Sequence, residues 1–203
     1  MGGTVDLGMD GECVSRPFTA REWTDREERV MQRMLEQLRA RAHGWPADNT
    51  GYLFRGPDSD GLRHWIRVPD CAALRSARRL TVVGFFGLAR AAVDQTPIDQ
   101  LEAGIVETLD TIPGVLCYYD LELAKGEYGN LIFCSAPDTP ARVQDHPQHR
   151  RAVELTPSHY HSVRLHSGAI VGRFISDALL VIERTRYYDF ETDPPWRAVR
   201  NLA

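Results

Sequence analysis

The apolar positions change period along the chain, and the change marks out its elements. Val30, Met31, Met34, Leu35, Leu38 and Ala42 recur every three or four residues, the spacing of one helix face. Thr24-Asp25-Arg26-Glu27 has the form of a capping box, so the helix is expected to begin at Thr24. His43-Gly44-Trp45-Pro46 stops it. Residues 49–61 read as a turn-rich connector around Gly56-Pro57-Asp58. Arg63–Val68 alternates like a short strand, and Ala72–Arg79 has the length of a helical turn or two.

From Leu80 the pattern sharpens. Thr81–Phe86 is rich in strand formers, and Thr96-Pro97-Ile98-Asp99 opens a helix whose inner face is Ile98, Leu101, Ile105, Leu109 and Ile112. Val115–Leu123 and Tyr128–Cys134 flank Lys125-Gly126 as an antiparallel hairpin, which would set Cys117 opposite Cys134. Asp145-His146-Pro147 starts a second helix, expected to end near Leu155 before Thr156-Pro157. His161–His166 and Leu179–Arg184 are two further strands, and Pro194-Pro195-Trp196 opens an extended or loosely helical tail.

Strand, helix, strand, strand, helix, strand is the ferredoxin-like order, so the fold class is α+β. Both helices fall on one face of an antiparallel sheet, and the other face has to be buried. A second subunit's sheet is the usual cover, which predicts a homodimeric barrel. The chain then divides into an arm at 1–20 that is flexible or loosely docked, an N-terminal helix and irregular extension at 21–79, the ferredoxin-like domain at 80–190 and a tail at 191–203.

Composition narrows the function class. With 24 basic and 28 acidic residues among 203, the net charge of −4 speaks against a nucleic-acid partner, which selects a basic face. The basic residues are almost all arginine, with Lys125 the only lysine, and this carries no functional weight. No apolar run reaches the roughly 18 residues of a membrane span. Met1-Gly2-Gly3-Thr4 resembles a myristoylation signal, but Asp6 stands where that pattern wants Ser or Thr. Cys13, Cys71, Cys117 and Cys134 show no Cys-x-x-Cys spacing, and a reducing, cytoplasmic setting follows as the simplest expectation.

The stretch from Thr81 to Gly168 resembles the dimeric α/β-barrel superfamily of antibiotic-biosynthesis-type monooxygenases, polyketide cyclases and haem-binding relatives. Ile112-Pro113-Gly114-Val115 between helix and strand, the hairpin ending at Cys134, and His146-Pro147-Gln148-His149 in the second helix carry the resemblance. Family monooxygenases commonly end the third strand on Trp-Glu or a similar pair, where this chain has Cys134-Ser135. The resemblance implies a pocket for a small hydrophobic or aromatic ligand, and the chemistry has to be argued from local residues.

Five of the seven histidines lie between 146 and 166. His149 and His161 are candidate acid/base groups, since imidazole titrates near neutral pH, and Tyr118, Tyr119 or Tyr128 would orient a substrate. Alternation lets only one of Tyr118 and Tyr119 face a given pocket. The leading reading is an oxygenase or cyclase that abstracts a proton from a hydrophobic substrate, with His149, His161 and Tyr118 as its residues. Some relatives bind haem, which would make His149 an axial ligand and Arg164 a propionate partner. A metal would take His149, His159 and His161. The cofactor is thus none or haem, and a non-catalytic ligand-binding or assembly protein is the third reading. Tyr187-Tyr188-Asp189-Phe190 and Trp196 would seal the dimer or lid the pocket.

Overall fold

Every strand run found in the sequence joins a single sheet. The computed structural model describes residues 3–45, 48, 50–57, 61–123 and 126–202; Met1, Gly2, Pro46, Asn49, Asp58 and Lys125, which the sequence reading used, lie outside them. In chain order the elements are β1 (Val5–Asp6), α1 (Arg21–Ala42), β2 (Tyr52–Pro57), β3 (Arg63–Val68), α2 (Cys71–Ser76), β4 (Arg79–Ala89), α3 (Thr96–Glu107), β5 (Val115–Glu122) and β6 (Glu127–Cys134). Then follow α4 (Thr139–Asp145), α5 (Pro147–His159), β7 (Tyr160–Val171), β8 (Leu179–Asp189) and β9 (Trp196–Asn201).

The sheet order is β1-β9-β8-β7-β4-β6-β5-β3-β2. Its centre, β7-β4-β6-β5, is antiparallel throughout and is connected through α3 and through α4 and α5, which is the ferredoxin-like topology expected from residue 80 onward. The N-terminal extension adds β2 and β3 to one edge, and β8 and β9 extend the other.

The second face of the sheet is covered by the chain's own α1, the cover that the sequence reading assigned to a partner's sheet. Met31, Met34, Leu35 and Leu38 pack at 0–1% exposure on Val82, Phe86, Tyr119, Leu131 and Phe133. Gly84 of β4 lets the helix come close: a Cβ there would lie 3.0 Å from Met31 Cε. A stripe of helical period has thus found its apolar partner inside the same chain.

The capping-box reading is corrected. The helix begins at Arg21, with extended Ala20 as its N-cap and no side-chain cap. Thr24 and Glu27 lie on the same stripe as Met31 and Met34, three or four residues apart, so both turn inward and bond across the core. The Thr24 hydroxyl meets Tyr187 Oη at 2.9 Å, and Glu27 accepts from Arg164 Nε at 2.6 Å and pairs with His166 Nε2 at 2.8 Å.

Other boundaries moved for identifiable reasons. The arm is docked: buried Arg200 donates to the carbonyls of Gly11 and Thr19, and Arg16 Nε donates to Asp189 Oδ2 at 2.8 Å. Helix α5 runs to His159 with Pro157 inside it, because a proline in the last turn forfeits only one hydrogen bond. From Glu122 opposite Tyr128 onward the hairpin pairs one residue off the expected register, setting Cys117 against Phe133, and a further irregularity between Val115 and Cys117 sets Cys134 against Val115. The two thiols are consequently not paired. The tail from Trp196 is strand β9.

Candidate active site

The face of the sheet that carries α3 and α5 is packed differently from the face under α1. On β4, Leu80, Val82 and Phe86 point to α1 and are buried to 0–1% exposure, whereas Thr81, Val83 and Phe85 on the helical side stay half-buried. Registers across the sheet fix what lies beside them. One row runs Trp65, Asp120, Asn130, Phe85, Leu165, Arg186, Val199; the next runs Glu122, Tyr128, Gly87, Val163, Tyr188, Arg197. The face therefore changes from carboxylates on β5, through apolar and aromatic side chains, to arginines on β8 and β9.

At the carboxylate end, α3 and β5 bring two acids together. Tyr118 faces α3 and its hydroxyl donates to the Glu102 carboxylate. Asp120 is two residues further along β5 and shares that face. Burial raises both Glu102 and Asp120 above the usual carboxylate range, Asp120 well above it; neighbouring carboxylate charge, from Asp99 on Glu102 and from Glu102 on Asp120, adds to this. Burial, then the charge of Glu102, likewise pushes the Tyr118 and Tyr160 phenols up. Tyr160 lies over Gly87, where a Cβ would come within 2.5 Å of its ring, and meets Phe85 edge-on at 5.5 Å.

This arrangement can hold and move a proton. Two neighbouring carboxyls that burial and carboxylate charge disfavour as anions can divide roles, one holding a proton while the other acts as a base. A phenol hydrogen-bonded to one of them extends the relay to the apolar patch of Phe85, Tyr160, Val163 and Leu165.

The histidines singled out by sequence are dispersed. His149 sits in the first turns of α5, its Nδ1 buried without a hydrogen-bond partner among the described residues, and burial together with nearby His146 lowers its pKa. His159 ends α5 with Nδ1 at 2.9 Å from the Leu155 carbonyl. His161 lies at the start of β7, where Nδ1 donates to Glu191 Oε1 at 2.7 Å; Arg90 Nη1 pairs with the same oxygen at 2.8 Å. Ten residues of helix, about 15 Å, separate His149 from His159. Among the described residues no three His, Cys, Asp or Glu side chains converge on a metal position, which corrects the triad of His149, His159 and His161.

The haem reading fares similarly. Arg164 is on the α1 face, bound to Glu27 and 5.3 Å from the Trp23 ring, while His149 is on the α5 face. The sheet stands between them, so the residues do not fit one haem. Tyr118 does face the helical side, as alternation allowed, and Tyr119 faces α1, where it donates to Gln37 Oε1 at 2.8 Å.

Glu102 and Asp120 were missed in the sequence, although a signal was present. Asp120 interrupts an otherwise apolar run from Val115 to Leu121, and Glu102 adjoins the buried stripe of α3. An acid in such a position is more informative than an exposed histidine.

No protein-family model and no curated protein matches the chain. Solved structures similar to it include a dimeric ferredoxin-like protein of unknown function from Thermobifida fusca, 15% identical over 45% of this chain and 92% of that one, with a TM-score of 0.36. SnoaB, a cofactor-independent oxygenase from Streptomyces nogalater, is 15% identical over 48% of this chain and 95% of its own, with a TM-score of 0.36. An antibiotic biosynthesis monooxygenase is 16% identical over 50% and 94%, with a TM-score of 0.34. The structural neighbours of the chain thus include dimeric ferredoxin-like and antibiotic-biosynthesis-monooxygenase proteins, the kinds of protein that its sequence resembles.

Proposed function

We propose that the chain is a small-molecule enzyme that abstracts a proton from an enolisable or phenolic, largely apolar substrate lying on the helical face of the sheet. The observation that carries this reading is the Glu102, Asp120 and Tyr118 cluster beside a half-buried aromatic patch. The ionised member of the acid pair takes the substrate proton, and the protonated member or Tyr118 donates to the oxygen on which charge develops. The resulting enolate or phenolate either closes a ring or reacts with molecular oxygen, and both outcomes share this first step. The imidazole assignment of the sequence reading gives way to the carboxylates, because His161 is engaged at the rim by Glu191 and Arg90.

The test is solvent deuterium exchange into a panel of cyclic β-diketones and hydroxylated aromatic ketones, followed by NMR, with oxygen uptake measured in parallel. Catalysed exchange that falls about 10²-fold or more in Asp120→Asn and Glu102→Gln is the expected result. Uptake of oxygen with exchange marks an oxygenase, and exchange with ring closure alone marks a cyclase. Exchange that survives both substitutions but is lost in His149→Ala would overturn the carboxylate reading.

A further inference from the structure

At the opposite end of the same sheet face lies a second set of groups that proton abstraction does not use. Arg184 and Arg186 alternate along β8, and Arg197 stands across from Tyr188 on β9. With Thr4, Val199 and Asn201 they line an open hollow of about 450 Å³. Among its described lining residues there is no carboxylate, although the chain as a whole carries a net charge of −4.

The nearby acids are directed elsewhere. Glu183, at an irregularity in β8, reaches toward Arg79 at 4.0 Å; Asp189 holds Arg16; and exposed Asp6 of β1 accepts from the Gly8 amide. Among the described residues Arg186 and Arg197 form no ion pair. Arg184 is held by a hydrogen bond from Nε to Asn201 Oδ1 at 3.0 Å, which leaves its terminal nitrogens free to turn into the hollow. Three cations on adjoining strands repel one another, and an anion relieves that repulsion.

We infer that the Arg184, Arg186 and Arg197 hollow is an anion site for a phosphate-bearing small molecule with at least two negative charges. Guanidinium groups present paired donors that match phosphate oxygens, and Thr4, Tyr188 and Asn201 add neutral polar groups around them. The hollow falls within the usual size range of small-molecule sites. Four interstrand steps of about 4.8 Å separate Arg186 from Asp120, roughly 19 Å, so this site is distinct from the acid pair.

Isothermal titration of the full chain with inorganic pyrophosphate, at about 0.15 M salt, tests it. Binding tighter than about 1 mM that weakens at least tenfold in both Arg186→Gln and Arg197→Gln is the expected result. Arg186→Lys, which keeps the charge but loses the fork, should fall between. Arg173→Gln, an exposed arginine outside the hollow, should bind as the unaltered chain does. Circular dichroism confirms that each variant is folded. Equal binding by all variants, or no binding at millimolar pyrophosphate, would overturn the site. Tighter binding of tricarballylate than of pyrophosphate would overturn the phosphate assignment.

Discussion

Glu27→Gln isolates the group that holds α1 on the sheet. Glu27 is 3% exposed and Arg164 3%, and His166 is fully buried, with its Nδ1 against Thr185 Oγ1 at 2.9 Å. The amide keeps the shape of the side chain but removes the one carboxylate that, among the described residues, pairs with Arg164. It also presents an NH2 group to one of the two partners that Glu27 now serves. Breaking a buried pair in this way costs about 3–5 kcal/mol, because a cation is left in the core without its counter-charge. For a chain of this length that is a fall in Tm of roughly 6–20 °C. Burial alone would raise the Glu27 pKa, but the hydrogen bond from His166 and the charge of Arg164 hold it below the usual range. A depressed carboxylate stabilises the fold at pH above that range and loses its contribution as pH falls through the depressed value. Urea unfolding followed by circular dichroism, repeated from neutral to acid pH, reads both effects: Glu27→Gln should be less stable at neutral pH and lack part of the acid limb. Glu27→Leu combined with Arg164→Met, which removes both charges, should recover much of the loss. A cost below about 1 kcal/mol for Glu27→Gln, or strict additivity in the double variant, would refute the reasoning.

Two more stability predictions follow from the other packing features. Asp120 is raised in the folded state, so the folded chain binds the extra proton over the interval between the ordinary carboxylate range and its own pKa; stability is full below that interval and declines as pH rises through it. Asp120→Asn should therefore be more stable than the unaltered chain at pH 8 and indistinguishable at pH 4 by thermal melting, and the opposite order would remove the argument. Gly168→Ala places a Cβ 2.0 Å from the Val181 carbonyl oxygen at the β7–β8 irregularity, so backbone has to shift. A loss of about 1–3 kcal/mol in urea unfolding is expected, and a change under about 0.5 kcal/mol would show that the strands part freely there.

The central topology was legible because its strands and helices carry unambiguous periods: Thr81–Phe86 reads as a strand and Ile98–Ile105 as a helix face from composition alone. What escaped the sequence was decided by tertiary partners. Tyr52–Pro57 contains turn residues, yet it pairs as an edge strand, where glycine and proline are tolerated. Thr24 and Glu27 had the spacing of a cap and equally the spacing of a buried face, and only the groups opposite them, Tyr187, Arg164 and His166, decided between the two. At the candidate site the density of histidines drew attention to residues 146–166, although imidazoles ten residues apart on one helix cannot converge. The acids were recoverable: alternation on β5 puts Asp120 on the same side as Tyr118, and the α3 stripe puts Glu102 within reach of that side.

The placement of α1 has a consequence for how stability and chemistry divide. Strand β7 carries Arg164 and His166 toward α1 and Leu165 and Ser167 toward the helical face, so the two sides share a backbone but not side chains. The α1 side is tightly packed: Glu27 is paired with Arg164 and His166, and buried Arg200 is held by hydroxyls and carbonyls, so a loss there shows in global unfolding. The helical side is half-buried and keeps two carboxyls in a state that costs stability when ionised, the arrangement expected where polar groups are held for a reaction. Glu27→Gln should then melt early yet exchange substrate protons normally per folded molecule at low temperature, and Asp120→Asn should melt late at pH 8 and exchange poorly. Equal loss of exchange in the two variants would mean that the faces act as one unit, and the carboxylate pair would lose its claim to be the separate seat of the chemistry.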